Sequence, residues 1–288
     1  MRVQPFSFLE QKDITPSGPP VPWTPADITT EWWCDVSDSS TVTLSGTTIV
    51  SVSDKSGNGF DLLQTEDTSK RPDLVTGASG INNLDTMRMD AECMYVNWSG
   101  TDADHKTLNM FFVCQPDDTT PTSNNAIIRR GFGAGSLGGT LRFTSGGLGG
   151  FWRIGGSNTG LTTKSSGILS PSVNEMLFDY DPAGAGSTDM YAYQDANTFA
   201  THTGLTGFLS GLTDDVRPVI GGAYSSDTWG AGSFGDLFTG LYGEIVCVVD
   251  TNVTTDTQQK IQGYLAWKWG TQGNLPAGHP YKSAAPTT

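Results

Sequence analysis

The stretch TTDTQQKIQGYLAWKWGTQGNLPAGHPYK, residues 254–282, decides the fold because it carries the clearest α-helix signals in the chain. Thr255 and Gln258 have the spacing of a capping box, and Gly270 can adopt the positive φ that ends a helix. We therefore predict one helix over residues 258–269, mostly buried because its apolar residues spread over a broad arc. The apolar arc consists of Ile261, Tyr264, Leu265, Trp267 and Trp269.

Lys268 lies near the middle of this apolar arc. A lysine in that position must extend its aliphatic stem along the protein and bring its ammonium group to the helix end or to a carboxylate. The helix should therefore close one edge of the fold. The segment LPAGHPYK that follows, residues 275–282, is expected to lead away from it.

The rest of the chain has the pattern of short β-strands joined by turns. Its 36 glycines and the absence of a second strong amphipathic helix favour an all-β protein, a sandwich of two antiparallel sheets. We assign residues 23–270 to one domain, followed by a tail over residues 271–288. Strands are predicted at residues 32–33, 42–44, 47–52, 87–89, 93–96, 108–114, 126–130, 141–144, 151–154, 175–180, 189–193, 218–220 and 237–249.

Charge and the N-terminal sequence limit the partners. The chain carries 30 acidic and 16 basic residues, a formal charge of −14, which disfavours nucleic acid and anionic membranes as partners. The first residues, MRVQPFSFLEQKD, contain no apolar region typical of a signal peptide, and no segment reaches a membrane-spanning length. We therefore expect a soluble chain made in the cytoplasm.

Residues 1–22 contain five prolines and no hydrophobic periodicity, which predicts an extended N-terminal arm. Such a segment usually frays unless something holds it. We expect the arm to bind a neighbouring subunit of a homo-oligomer, for example a trimer. The residues predicted to make this assembly contact are Pro5, Phe6, Phe8, Leu9, Pro19 and Pro20.

The sequence indicates no cofactor. Cys34, Cys93, Cys114 and Cys247 lack metal-ligand or disulfide spacing and are expected to be free, buried thiols. The three histidines, His105, His202 and His279, are too dispersed to suggest a metal site.

The turn DKSGNG, residues 54–59, partly matches a calcium-binding loop. Asp54, Ser56 and Asn58 occupy the first, third and fifth positions of that pattern, but the twelfth position is Thr65 instead of glutamate. A hairpin turn closed by the Asp54 side chain is the favoured interpretation, with calcium binding as the alternative.

No pair of carboxyl groups has the spacing and setting of a catalytic pair. Asp179 and Asp181 share a face of a predicted strand at roughly 7 Å, but Pro182 follows at once and indicates a turn. Glu244 and Asp250 would lie roughly 20 Å apart along one strand, too far to act together. We predict that the protein is not an enzyme.

Aromatic side chains in predicted loops are the candidates for a binding site. Aromatic faces stack on the apolar faces of pyranose rings, and carboxylates accept hydrogen bonds from sugar hydroxyls. Tyr224, Asp227 and Trp229, with Trp152 around the same rim, form the predicted carbohydrate site. The alternative is that these aromatic residues only pack a long loop onto the sandwich or line a subunit contact.

Three segments together resemble a known group of domains. They are the turn DKSGNG with Gln64 and Arg71-Pro72 after it, the late strand GLYGEIVCVVD at residues 240–250, and IQGYLAWKWGTQGNLPAGHPYK at residues 261–282. Most of residues 24–282 resembles the concanavalin A-like, LamG-type jelly-roll domains of bacteriophage virion proteins and of some bacterial surface proteins. The resemblance implies two curved antiparallel sheets, with a helix packed at the edge of the sandwich after a late strand.

The resemblance also frames the expected function. Members of this fold bind carbohydrate, hydrolyse glucans or serve as structural modules, and the E-x-D-x-x-E strand motif of the hydrolase branch is absent from the sequence. Our main hypothesis is a non-enzymatic phage virion protein, a capsid decoration or auxiliary head protein, which binds the major capsid protein or other virion proteins. The second is a carbohydrate-binding module of a phage tail fibre or a bacterial surface protein, with host glycans as ligands.

Overall fold

The computed structural model describes residues 21–97, 108–121, 125–130, 138–154, 157–181, 187–206, 218–224, 234–235, 237–249 and 253–288. Within these ranges the chain forms nineteen strands and one α-helix. No helix in this described part is long and apolar enough to cross a membrane. The residues predicted to make the arm contact, Pro5, Phe6, Phe8, Leu9, Pro19 and Pro20, lie outside the described residues.

The first ten strands are β1 (Trp32–Asp35), β2 (Val42–Ser45), β3 (Thr48–Val52), β4 (Leu62–Leu63), β5 (Asp73–Val75), β6 (Thr86–Asp90), β7 (Met94–Val96), β8 (Leu108–Pro116), β9 (Asn125–Arg130) and β10 (Gly138–Thr144). The others are β11 (Gly147–Ile154), β12 (Ser157–Lys164), β13 (Ser172–Asp181), β14 (Ser187–Gln194), β15 (Asn197–Thr206), β16 (Pro218–Ile220), β17 (Ala223–Tyr224), β18 (Phe234–Gly235) and β19 (Thr239–Val249). Helix α1 spans Thr255–Lys268, and short 3-10 turns occupy Pro25–Asp27, Thr68–Lys70, Gly77–Ser79, Ile81–Asn83 and Gln272–Asn274.

The strands form two layers in which every pairing is antiparallel. The six-stranded layer has the order β1-β19-β8-β13-β14-β15. The second layer has the order β2-β3-β4-β7-β16-β9-β10-β11-β12. Strands β5 and β6 join the layers at one corner, because β6 pairs with β19 and β5, and β5 pairs with β3. Strands β17 and β18 form a separate hairpin.

The main hydrophobic core lies between the two layers. Side chains alternate between the faces of a strand, and Met110, Met176 and Ala192 of the six-stranded layer point into this core. They meet residues such as Leu141 and Ile220 of the second layer. The odd-numbered neighbours along β8, β13 and β14 therefore lie on the outer face of the six-stranded layer.

A second core lies between that outer face and α1. Its sheet side is formed by Trp33, Phe111, Val113, Val173, Val246 and Val248, and its helix side by Ile261, Leu265, Ala266 and Trp269. The helix is mostly buried, as the sequence predicted, but it packs on the outer face of the six-stranded layer, so the expectation that it closes an edge of the fold is wrong.

The two ends of α1 differ in how well the sequence predicted them. The N-cap is Thr254, whose hydroxyl accepts a hydrogen bond from the Thr257 backbone N–H at 3.2 Å. The predicted capping box of Thr255 and Gln258 is wrong, because the side-chain amide of Gln258 donates a hydrogen bond to Glu175 on the sheet below the helix. At the other end Gly270 has a φ of +73°, as predicted.

The two tryptophans near the end of α1 have different environments, although both were predicted to be buried. The side chain of Trp269 lies in the core with 1% exposure. Trp267 is half-buried, and its indole N–H donates a hydrogen bond to the Tyr281 carbonyl at 2.8 Å. Only one of them therefore anchors the helix on the sheet.

The C-terminal tail returns along α1, so the expectation that it leads away from the helix is wrong. Tyr281 packs against Gly263, where an added Cβ would lie 2.6 Å from the Cβ of the tyrosine. The last residues then reach the start of the described chain, where Pro22 pairs with Thr287 and the Trp23 N–H donates to the Pro286 carbonyl at 3.0 Å. Because Gly263 has no side chain, Tyr281 of the tail can pack directly against the helix at that position.

The all-β prediction with one C-terminal helix is confirmed. All four cysteines are free and buried, as predicted. The sequence missed several strands, including β12 and β15, because their sequences SNTGLTTK and NTFATHTGLT are rich in threonine and lack a clear apolar run. Their strand geometry comes from pairing with β11 and β14.

Candidate functional site

The outer face of the six-stranded layer has two halves. Helix α1 covers β1, β19, β8 and β13, whose side chains form the second core with it. No residue of β14 or β15 belongs to that core within the described part of the chain. We call the first region the covered half and the region of β14 and β15, with the adjoining end of β13, the open half.

The covered half contains a buried carboxylate with a full set of donors. Glu244 is 0% exposed, and its Oε1 accepts hydrogen bonds from Trp33 Nε1 at 2.7 Å and from Tyr264 OH at 3.0 Å. Its Oε2 accepts from Trp269 Nε1 at 2.9 Å and lies 2.7 Å from Lys268 Nζ. Burial raises the pKa of Glu244, and Lys268 and Trp269 oppose this shift.

Lys268 connects this carboxylate to a second one. Its Nζ lies 2.8 Å from Asp35 Oδ2, which is also 3.3 Å from Lys55 Nζ. Burial opposes ionisation of Asp35, but the charges and hydrogen bonds of Lys268, Ser37 and Lys55 prevail and lower its pKa. The sequence prediction that Lys268 would meet a carboxylate is confirmed. Because every oxygen of Glu244 is used and none is exposed, the cluster holds the helix on the sheet and leaves no access for a ligand.

Glu175 marks the border between the halves. Its two carboxyl oxygens accept hydrogen bonds from the amides of Gln258 and Gln262 of α1, each at 2.7 Å. Burial raises the pKa of Glu175 to about 8. Gln262 in turn contacts His279 of the tail at 3.2 Å. Glu175 is 1% exposed, so it is closed to a substrate and instead fixes the first turns of the helix.

The open half carries two neighbouring tyrosines. Tyr193 lies opposite Glu175 on β13, and Tyr191 lies opposite Leu177, so both share the outer face with Glu175. The two rings are 6.5 Å apart between centroids, at an interplanar angle of 36°. Both side chains are half-buried. This gives a pair of tilted aromatic rings at the edge of the helix with part of their surface in solvent.

Polar groups surround this tyrosine pair. Burial raises the pKa of Tyr193, and hydrogen bonds with Gln258 and Thr198 oppose the shift, so the tyrosine is tied to the helix on one side and to β15 on the other. Thr201, which lies opposite Tyr191, and Thr203 are both exposed. Rings that offer an apolar surface, with hydroxyl groups beside them, suit a ligand that is itself part apolar and part hydroxylated.

Two of the sequence-predicted carbohydrate residues, Trp152 and Tyr224, lie on other strands than the tyrosine pair. Trp152 of β11 lies opposite Gly139 of β10. Across the next strands, Gly139 lies opposite Arg130 of β9, and Arg130 lies opposite Pro218 of β16. Tyr224 lies six residues beyond Pro218 along the chain, in the β17–β18 hairpin, opposite Phe234. The register therefore does not align Trp152 with Tyr224. Asp227 and Trp229 lie outside the described residues, and the rim site stays a prediction.

The candidate calcium turn is closed by hydrogen bonds. Asp54 Oδ1 accepts from the backbone N–H groups of Trp33 and Ser56, each at 2.9 Å. Its Oδ2 accepts from Ser56 Oγ at 2.6 Å and from the Phe60 N–H at 3.1 Å. Asn58 donates its amide to the Glu31 carbonyl at 2.8 Å. Across the described ranges, no cluster of histidine, cysteine and acidic side chains could hold a metal ion.

Sequence reasoning missed the tyrosine pair, although a signal was present. The segment DMYAYQ at residues 189–194 lay in a predicted strand, and its alternation places Tyr191 and Tyr193 on one face. What the sequence did not reveal was that the hydrophobic core under α1 ends at β13, so that both tyrosines stay only half-buried. The candidate acidic pair, Asp179 and Asp181, lies at the end of β13 with Asp179 opposite Asp189, and the side chains of the pair lie outside the described residues.

Comparisons with known proteins define the class of fold. No family model matches the chain, and no curated protein matches its sequence. Among solved structures, it superposes on domain 4 of AbnA, a GH43 extracellular arabinanase from Geobacillus stearothermophilus in complex with arabinotriose, with a TM-score of 0.50 and 12% identity over 80% of this chain and 95% of that domain. The chain is a concanavalin A-like β-sandwich.

A second solved structure has the same architecture. The binding domain of botulinum neurotoxin serotype D superposes with a TM-score of 0.51 and 10% identity over 82% of this chain. The match spans 52% of that domain, so this chain corresponds to about half of it. At these identities the similarity establishes the fold and no more. Neither of these two structures is a phage virion protein.

Proposed function

We propose that this chain is a non-catalytic carbohydrate-binding module and that it binds its glycan on the open half. The observation that carries the proposal is the pair Tyr191 and Tyr193, side by side and half-buried, on the part of the sheet face that lies outside the core beneath the helix. An aromatic side chain in solvent costs hydrophobic free energy that burial would recover. A pair of partly exposed rings at one place therefore offers a contact surface for a ligand.

The geometry suits a sugar chain better than a compact cofactor. A flat face that offers two tilted rings and the hydroxyls of Thr201 and Thr203 contacts one side of an extended ligand. Such a site buries little of the ligand, so we expect dissociation constants roughly between micromolar and millimolar. The arabinotriose in the complex of AbnA domain 4 supports a sugar ligand for a domain of this fold.

Catalysis is not part of the proposal. The described carboxylates nearest the tyrosine pair are Glu175, which is buried against two glutamines, and Asp189. Glycoside hydrolysis needs two carboxyl groups that flank one bond of the substrate, and Glu175 cannot reach a ligand on the surface. Binding without turnover is the activity that the described residues support.

The virion hypothesis receives no comparable support. It depends on the sequence resemblance and on the arm over residues 1–22, most of which lies outside the described residues. Capsid decoration, the virion location, the oligomer and the capsid partner stay predictions. No contact among the described residues favours capsid decoration, whereas the tyrosine pair favours the carbohydrate-binding hypothesis.

A glycan array with three alanine variants tests the proposal. Tyr191→Ala and Tyr193→Ala should each lose the signal on the glycans that the unmodified chain binds, because each removes one stacking face. Trp229→Ala tests the rim site instead, and its signal should be retained. Circular dichroism would confirm that each variant is folded.

The outcomes separate the two locations. Loss of binding in Trp229→Ala with retention in both tyrosine variants would move the site to the rim and overturn the assignment to the open half. An array without signal for the unmodified chain would overturn carbohydrate binding itself.

A further inference from the structure

A buried histidine connects the C-terminal tail to α1. His279 is 8% exposed, and its Nδ1 accepts a hydrogen bond from the Tyr281 backbone N–H at 3.2 Å. Its Nε2 lies 3.2 Å from Oε1 of Gln262 in the helix. Because a backbone N–H can only donate, Nδ1 carries no proton, and Nε2 is the protonated nitrogen that donates to Gln262. The two hydrogen bonds together therefore require the neutral imidazole.

The tail is held at two further places. Tyr281 packs against Gly263, and its carbonyl accepts a hydrogen bond from the Trp267 indole at 2.8 Å. Residues 286–288 then pair with residues 21–23. Both places come after the histidine along the chain, so the histidine holds the beginning of the segment that returns along the helix.

Protonation of His279 is incompatible with these contacts. An imidazolium carries an N–H on both ring nitrogens, so Nδ1 would direct a hydrogen at the N–H of Tyr281, and the hydrogen bond between them would be lost. A buried polar group without its partner is costly, and so is a buried charge without a counter-ion. Burial accordingly lowers the pKa of His279 from 6.5.

The carboxyl group nearest along this hydrogen-bond chain does not offset that cost. Gln262, which accepts from His279, donates its own amide to Glu175 of β13 at 2.7 Å. The pKa of Glu175 is raised to about 8, so this carboxyl group is neutral at the acid pH at which a histidine gains its proton. It therefore supplies no negative charge to an imidazolium on the other side of Gln262.

The charged groups of α1 and of the tail include two cations. Lys260 of α1 acts electrostatically on Tyr281 and is paired with Asp256 at 2.9 Å. Lys282 of the tail donates its backbone N–H to the His279 carbonyl at 3.1 Å. The Tyr281 ring meets the imidazole edge-on, with 6.0 Å between centroids. Positive charge on Lys260 and Lys282 repels a second cation between them and adds to the effect of burial.

We infer that residues 279–288 form an acid-sensitive clasp, which protonation of His279 releases from α1. The inference does not depend on glycan binding. A released tail binds a proton with the ordinary histidine pKa of 6.5, whereas the attached tail binds it less readily. The released population should therefore rise as pH falls below 6.5, by up to about tenfold per pH unit, until the lowered pKa of the attached form is reached. Above that range the clasp stays attached.

Release has a defined structural consequence. It uncovers the surface of α1 at Gly263 and Trp267 and removes the pairing partner of residues 21–23. The sheets are affected in the opposite direction, because protonated Glu175 stabilises the folded chain more as pH falls. Acid should thus loosen the tail while the sandwich remains folded.

Hydrogen exchange measured by mass spectrometry at pH 7.5 and pH 5.0 tests the clasp. Exchange rates are divided by the intrinsic rates at each pH to give protection factors. Protection of amides in residues 281–288 should fall about fivefold or more at pH 5.0, because the released population rises. Amides of β19 serve as the internal reference and should keep their protection.

Two matched variants connect the effect to one histidine. His279→Asn places a carbonyl oxygen near the position of Nδ1 and cannot be protonated, so protection of its tail should no longer depend on pH. His105→Asn removes another of the three histidines of the chain and should keep the pH dependence of the unmodified chain.

Three results would overturn the inference: equal tail protection at both pH values, a pH-dependent loss that persists in His279→Asn, or one that disappears in His105→Asn. If the tail of His279→Asn is released at both pH values, an NMR titration of the unmodified chain decides. The His279 ring and the Tyr281 amide signal should then share one midpoint below 6.5. A midpoint above 6.5 would show that the attached tail favours the imidazolium, which contradicts the clasp.

Discussion

The covered and open halves lie on one face of one sheet, yet they use their side chains in opposite ways. In the covered half, Glu244 receives four donors and has no exposed surface. In the open half, Tyr191 and Tyr193 keep part of their rings in solvent. The strand pairing runs on without interruption from β8 through β13 to β14, so the position of α1 makes the difference.

This contrast assigns separate physical roles to the two halves. A buried charge is tolerated only where its partners are complete, and removal of one partner is costly. Side chains at the border of solvent contribute less to stability and remain available for contacts. We therefore expect substitutions in the covered half to affect unfolding, and those in the open half to affect binding.

The largest effect should come from the anchor of the helix. Trp269→Ala removes a side chain with 1% exposure that also donates to Glu244, and it should lower the free energy of unfolding by about 4 kcal/mol. Trp267→Ala removes a half-buried ring on the side of the tail and should cost about 1–2 kcal/mol. Urea unfolding followed by tryptophan fluorescence measures both. Equal losses would show that the helix is anchored as much by the tail as by the sheet.

The buried ion pairs should give the next largest effect. Lys268→Met keeps most of the aliphatic stem but leaves Glu244 and Asp35 without the ammonium group between them, which should cost about 3 kcal/mol. Lys260→Met breaks the pair with Asp256, whose side chain is 69% exposed, and should leave the free energy of unfolding nearly unchanged, because water and salt screen an exposed ion pair. Urea unfolding of the two variants provides the measurement. A loss in Lys268→Met as small as in the control would mean that the ammonium group of Lys268 does not stabilise Glu244 and Asp35 in the folded protein.

The sequence predicted much of the covered half, because its signals are local. The helix, the stop at Gly270 and the meeting of Lys268 with a carboxylate all follow from neighbours in sequence. The sequence did not show which carboxylates would bind Lys268, because Asp35 and Glu244 come from β1 and β19, which are far apart in the chain. The sequence analysis considered Glu244 only as a possible partner of Asp250. The burial of Glu244 and its contacts with residues of other strands and of the helix cannot be seen in the sequence of one strand.

The open half was harder to predict for a different physical reason. Alternation in DMYAYQ places the tyrosines on one face but does not say whether that face is covered. The answer depends on the direction in which α1 crosses the sheet, which tertiary contacts such as those of Glu175 with Gln258 and Gln262 decide. The sequence prediction chose Trp152, Tyr224 and Trp229 because they are aromatic residues near glycine-rich loops, and that rim site stays a prediction.

The border between the halves should respond to pH. The pKa of Glu175 is raised from 4.5 to about 8, so the folded state holds a proton that the unfolded state releases. This stabilisation is complete below the unfolded pKa and is lost as pH rises through about 8. Unfolding free energies should fall between pH 5.5 and 7.5 by about 1–2 kcal/mol from this group, given a limit of about 1.4 kcal/mol per pH unit and proton.

Glu175→Gln isolates that contribution. The amide cannot ionise, so the variant should lose most of this decline, and only the part due to other groups should remain, such as Asp195, whose pKa burial raises to about 7. Glu66→Gln, an exposed carboxyl elsewhere in the chain, serves as the matched control and should keep the decline of the unmodified chain. Identical pH profiles for Glu175→Gln and the unmodified chain would show that Glu175 is ionised in the folded state despite its burial.

The smallest effect on stability belongs to the open half. Tyr191→Ala removes a half-buried ring of the open half and should cost about 1 kcal/mol in urea unfolding, because part of the ring is already hydrated in the folded protein. A loss close to that of Trp269→Ala would place Tyr191 in the folding core, and the absence of glycan binding in that variant could then reflect unfolding. A loss near 1 kcal/mol together with abolished binding would mean that this tyrosine serves the ligand.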